Sequence, residues 1–144
     1  MNISLMDKIK DKFPKFYLKE VTNSDFKLKP ENDDGYVEYK RTLVDCSEKK
    51  AAQYATQMQW RIKQNIKNQF ATYYIGVDDD GTIIGLSEDD TFECLNKFVS
   101  IASTVGASII GIEIIHINSV IVIQIKVRIK KAKDNYIVEF DQDI

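Results

Sequence analysis

Cysteine, histidine, proline and glycine are all scarce in this chain, and each scarcity removes a class of function. Only Cys46 and Cys94 occur among 144 residues. They have neither CxxC spacing nor a neighbouring histidine, which excludes a zinc ribbon and a disulfide scaffold and fits a reducing compartment. The one histidine, His116, sits in an apolar run, as a satisfied core or strand-end histidine does. No pattern pairs it with a serine or cysteine nucleophile. The six glycines form neither GxxxxGK[ST] nor GxGxxG, so the chain carries no phosphate cradle for GTP or a dinucleotide. Uncharged apolar runs are short, and none approaches the ~20 residues that cross a bilayer. The N-terminal MNISLMDKIKDKF is too regularly charged for a signal peptide. Neither sign of charge prevails, with 20 Lys and Arg against 22 Asp and Glu and a net charge of −2. That excludes a histone-like binder and confines any nucleic-acid contact to a local basic face. A cytoplasmic location and no membrane contact are expected.

What is present is 44% apolar residue content, enough at this length for one core without a disulfide or a metal. Both prolines, Pro14 and Pro30, fall in the first 30 residues together with seven lysines. A short helical pattern over residues 3–13 stops at Pro14, which lacks an amide hydrogen and disfavours helix before it. Residues 15–34 read as an arm or linker. The expected organisation is therefore a helix and arm over 1–34 and an α+β domain over 35–144.

Alternation over residues 36–44 predicts a strand. Asp45 or Ser47 then caps a helix over 48–66, whose stripe is Ala51, Ala55, Met58, Ile62 and Ile66. Residues 72–77 and 82–86 read as two strands joined by Asp78-Asp79-Asp80-Gly81, since Asp-Gly is a tight-turn signal. Ser87 caps a second helix with Glu88, Asp89 and Asp90 at its positive end, and Gly106 closes it. Three strands follow, at 108–116, 120–131 and 136–140. The nearly continuous apolar run 109–117 suits a central strand. In 120–131, Ile121, Ile123, Ile125, Val127 and Ile129 face inward, while Gln124, Lys126, Arg128 and Lys130 face outward. The order is β-α-β-β-α-β-β-β with an N-terminal helix. Two main helices on a mixed sheet make an α+β domain.

Two groups of residues suggest chemistry. Asp33, Asp34 and Glu38 flank the first strand, and Asp78–Asp80 ends a neighbouring one. Converging carboxylates of this kind can hold Mg²⁺ or Mn²⁺ and activate water against a phosphodiester; turn chemistry alone also accounts for an acidic hairpin tip. The second group is basic. Lys126, Arg128 and Lys130 share a strand face, and Arg61 and Lys63 decorate the end of the first main helix. Such residues neutralise phosphates in a salt-dependent, sequence-independent way, or simply form a solvated face. Trp60 lies off the apolar stripe and reads as a packing residue against the sheet edge or the arm, with an exposed recognition aromatic as the lesser reading.

The segments EYKRTLV (38–44), TQMQWRI (56–62), YIGVDDDGTIIGLSEDD (74–90) and VGASI (105–109) resemble the N-terminal region of the GTP-binding protein 1 and 2 family of translational GTPases. The similarity runs from about Gly35 onward. In that family the final strands lead into a GTPase domain, whereas this chain stops before any P-loop. The resemblance therefore implies an excised N-terminal domain or a free-standing relative. GTP and Mg²⁺ would belong to a downstream GTPase domain in cis, with no cofactor in this chain. It further implies contact with RNA, whether tRNA, mRNA or the ribosome.

More distantly, E[FY]K followed by a helix and IGVDDxGxIxG is similar to the Schlafen-type, Alba-related domain, which includes RNA binders and metal-dependent RNases. On that resemblance Glu38 and Asp78 match two metal-binding carboxylates of the nuclease members. A third falls on Asp33, where the nucleases have Glu, with Asp34 and Glu31 as alternatives in the same loop. Lys40 matches a lysine placed to contact phosphate. Mg²⁺ or Mn²⁺ would then be the cofactor of an endoribonuclease. A protein-interaction module, dimerising through an exposed edge such as residues 136–140, is a further alternative.

Overall fold

The computed structural model describes residues 3–129 of the chain. Lys130 and the strand expected at 136–140 lie outside the described residues. Ser4 accepts the Asp7 amide at 3.1 Å and starts α1 (Leu5–Lys12), which ends before Pro14 as its sequence requires. Then follow β1 (Leu18–Thr22), β2 (Val37–Lys40), α2 (Glu48–Gln64), β3 (Phe70–Ile75), α3 (Glu88–Thr104), β4 (Ala107–Ile117) and β5 (Val120–Ile129). The strands form one mixed sheet in the order β1-β4-β5-β3-β2. Parallel pairs join β1 to β4 and β2 to β3, and β5 runs antiparallel to both of its neighbours. With the three helices among the described residues this is the α+β class that the sequence pattern indicates.

Capping chemistry sets the main helices. Ser47 Oγ accepts the Lys50 amide at 3.1 Å to open α2, while Asp45 takes a positive φ of 60° in the turn before it. Ser87 opens α3 in the same manner through the Asp90 amide. The helices cover one face of the sheet. There Met58, Ile62, Leu95 and Phe98 meet Tyr73, Ile112, Ile114, Ile123 and Ile125 in the main core.

Three expectations are corrected. Residues 15–34 are not a free linker. β1 completes one sheet edge, and Phe26 and Leu28 pack across the second face onto Tyr39, Val77, Ile115, Ile117 and Val122. The alternation of half-buried Phe26 and Leu28 with exposed Lys27 and Lys29 is a strand-like pattern hidden among lysines. This strap is fastened by Tyr39 Oη donating to the Lys29 carbonyl and by the Glu31 amide donating to the Asp79 carbonyl, both at 2.7 Å. Leu5 and Ile9 of α1 likewise belong to the main core.

Secondly, the strand expected at 82–86 is reduced to isolated bridges, Val77 with Ile83 and Leu86 with Ile121. The amides of Ile84 and Gly85 both donate to the Gly76 carbonyl, at 2.9 and 2.8 Å, which folds the segment too tightly for a ladder. Gly85 holds φ +80°, and a Cβ there would lie 2.4 Å from the Val120 side chain. Thirdly, α2 stops at Gln64, so Ile66 falls past its end and is 84% exposed. Arg61 takes the vacated place on the buried side. The element order changes accordingly, with a strand ahead of β2 and none between β3 and α3. Among the described residues no helix is long and apolar enough to cross a membrane.

Candidate functional site

Of the acidic residues singled out in the sequence, Asp33 and Asp78 do not converge on Glu38, whereas the alternative Glu31 does. β2 pairs Glu38 with Tyr73 and Lys40 with Ile75, which turns both side chains toward the helices. Glu38 is only 3% exposed, and so is Arg61. Arg61 Nε donates to Glu38 Oε1 at 2.7 Å. Its Nη1 donates to the carbonyls of Asn32, Asp33 and Gly35 at 3.0, 3.2 and 2.7 Å. Nη2 lies 3.8 Å from Glu31 Oε1. On the other side Lys40 Nζ is 3.2 Å from Glu38 Oε2 and donates to Gln57 Oε1, with the Tyr54 ring centroid 3.9 Å beneath it. Trp60 belongs to the exposed large apolar side chains. It is 43% exposed, and its ring lies 5.1 Å from the Arg61 guanidinium carbon.

The carboxylate brought to Glu38 is thus Glu31, which accepts the Tyr39 amide at 2.7 Å and caps the edge of the short β2. Burial pushes the Glu31 carboxyl above its ordinary range, and the charges of Glu38 and Asp79 add to this. The Tyr39 amide and Arg61 oppose the shift without cancelling it. Arg61 is shared with Glu38, which explains its weak hold on the second carboxylate. Asp33 is exposed and contributes only its carbonyl. Asp78 stays within its own turn, where Oδ1 accepts the Asp79 amide.

Among the described residues no three of His, Cys, Asp and Glu are grouped to hold a metal ion. Both Glu38 oxygens face nitrogen cations where a divalent ion would need them, so these residues do not fit Mg²⁺ or Mn²⁺. Lys40 and Arg61 are engaged inside the protein and are not presented to phosphate, whereas Lys63 stands exposed on the last turn of α2. The lone histidine, His116, is at a strand end, 2.6 Å from Glu20 Oε2.

Lys126 and Arg128 are brought into a different setting. Their alternation in β5 places them on the second face, and among the described residues the strap covers only the half of that face near the β4–β5 turn. The register carries Lys126 beside Thr72 and Gly111, Arg128 beside Phe70, and Gln124 beside Glu113 and Tyr74. Lys19 lies next to Glu113 across the β1–β4 ladder. Rings stand at both margins of this uncovered half. Tyr17, 70% exposed, lies where a Cβ on Gly111 would sit 3.9 Å from its Cδ2. Tyr36, 39% exposed, meets Phe70 edge-on at 5.5 Å, and Lys126 Nζ is 5.6 Å from the Phe70 centroid. Between them runs a groove of about 310 Å³ lined by Tyr17, Lys19, Gly111, Glu113, Gln124 and Lys126. Cations interleaved with accessible rings on an open sheet can neutralise a phosphate chain while its bases stack. The basic half of this arrangement follows from β5 alternation. The aromatic half does not, because Tyr17, Tyr36 and Phe70 belong to three separate segments that only the topology unites. Each sits just before or at the first residue of its strand, a position that a local pattern leaves unassigned.

Over 141 residues the chain is 44% identical to an uncharacterized protein of Acanthamoeba polyphaga mimivirus, a match covering 98% of the chain and 74% of that protein. Over 82 residues it is 39% identical to GTP-binding protein 2 of Mus musculus and of Homo sapiens. That match takes in 57% of the chain and 13% of the length of either relative. No family model and no solved structure matches the chain.

Proposed function

The chain belongs to the family of the mimivirus protein and is related over part of its length to GTP-binding protein 2, and from that premise we propose that it is an RNA-binding domain. It carries no P-loop of its own, and its role is to hold tRNA, mRNA or ribosomal RNA for a translational GTPase activity supplied by other residues. One observation carries the reading: the uncovered half of the sheet presents Tyr17, Tyr36 and Phe70 interleaved with Lys19, Lys126 and Arg128. Aromatic platforms contribute roughly 1–3 kcal/mol per stacked base, and basic side chains add affinity that falls as salt rises. An open sheet with accessible rings suits single-stranded segments, whose bases are free to splay.

Fluorescence anisotropy with a labelled single-stranded RNA and with tRNA tests this. Affinity is expected to fall steeply between about 50 and 200 mM salt. Lys126→Glu combined with Arg128→Glu abolishes binding, and Tyr36→Ala weakens it by about tenfold, consistent with the loss of one stack. Lys63→Glu, on the helix side, leaves it nearly unchanged. Undiminished affinity in the double variant, or no binding of any RNA by the wild-type chain at low salt, overturns the proposal.

A further inference from the structure

Glu113 is out of place on a phosphate-binding surface. It stands on β4 in the middle of the uncovered half, opposite Gln124 and diagonal to Lys126, and it lines the groove beside Tyr17. A negative charge there opposes every phosphate that approaches. Its contact with Lys19 does not account for it. The charged atoms are 4.0 Å apart, and the lysine side chain is 57% exposed, so the pair is a loose surface contact of small worth. What surrounds the carboxylate is the equipment of a base pocket. The Tyr17 ring is largely exposed, Gly111 leaves the floor without a side chain, and Gln124 is held by Nε2 donating to Tyr74 Oη at 2.8 Å.

Resting on the RNA reading above, we infer that this groove takes an unpaired guanine, stacked on Tyr17 with its Watson–Crick edge on Glu113. A carboxylate offers two acceptor oxygens side by side and no donor. Guanine presents two adjacent donors, N1–H and the N2 amino group, and satisfies both oxygens in a bidentate, charge-assisted pair. Adenine sets an acceptor nitrogen beside its amino group, so one carboxylate oxygen would face a lone pair. Uracil flanks its single N–H with two carbonyls. Acidic side chains elsewhere in nucleic-acid recognition accept from base amino groups for the same reason.

Anisotropy with eight-nucleotide uridine strands carrying one central guanosine, inosine or adenosine tests the assignment with the full chain. Guanosine is expected to bind about tenfold tighter than adenosine, with inosine, which keeps N1–H but lacks the N2 amino group, in between. Glu113→Gln keeps the shape and removes the discrimination, while all-uridine affinity stays level or rises. Gly111→Val, whose Cβ has room beside Tyr17, fills the floor and also abolishes the preference at an unchanged melting temperature. Equal affinity for guanosine and adenosine in the wild-type chain, or discrimination that survives Glu113→Gln, overturns the guanine pocket and leaves RNA binding standing. Failure to bind any of the strands overturns both.

Discussion

Arg61 shows how one side chain can look like a surface contact in sequence and be a structural pin in three dimensions. It lies in the last turn of α2, where cations favour the helix dipole, yet its guanidinium is buried against Glu38 and three loop carbonyls. Arg61→Met is expected to cost about 3–5 kcal/mol in urea denaturation, because it leaves Glu38 buried with one partner fewer. Pairing it with Glu38→Gln should recover part of that loss. Glu31 supplies a pH signature. Burial raises its folded-state pKa above the 4.5 reference, so the folded chain holds this proton more tightly than the unfolded one. The resulting stability is fully present below about pH 4.5 and is lost as pH rises through the raised value. Glu31→Gln should therefore flatten the slope of melting temperature against pH above 4.5; an unchanged slope would remove Glu31 as its source. The two thiols differ as well. Cys94 is buried, accepts the Leu43 amide at 3.2 Å and has its pKa pushed up by burial, whereas Cys46 is half-exposed. A thiol reagent on the native chain should consume one equivalent quickly and the second only on unfolding.

At the scale of elements, caps and long periodic runs were legible, and segments whose fate depends on distant partners were not. Ser47 and Ser87 announce α2 and α3 through local chemistry, and the alternation of β5 assigns both of its faces. β1 was hidden because five residues with two half-buried positions say little until β4 lies beside them. Residues 82–86 pattern as a strand because Ile83, Ile84 and Leu86 are strand-forming, but Gly76 and Gly85 impose a turn that leaves only isolated bridges. The candidate site was half legible for the same reason: Lys126 and Arg128 share one strand, whereas Tyr17, Tyr36 and Phe70 are assembled by topology. The clearest element-scale test lies in α1, whose Ile9 is fully buried. Ile9→Ala should destabilise the chain by about 2–5 kcal/mol, and a value near zero would restore the reading of this segment as a detached arm. Gly85→Ala should also destabilise it, through the close approach to Val120.

At the scale of the whole molecule, near-balance of charge coexists with a one-sided surface. The net charge of −2 keeps long-range attraction to polyanions weak, so binding depends on the local face, and salt should act mainly through those few cations. The sheet also ties together the most distant parts of the chain. The Glu20–His116 contact spans 96 positions, and β1 can find its place only after β4 exists. During synthesis the strap residues Phe26 and Leu28 must therefore wait, uncovered and sticky, until nearly the whole described chain has left the ribosome. Folding ruled by such late closure is slower than in helical bundles, whose contacts are local. In that interval the newborn N-terminus is the part most in need of a chaperone.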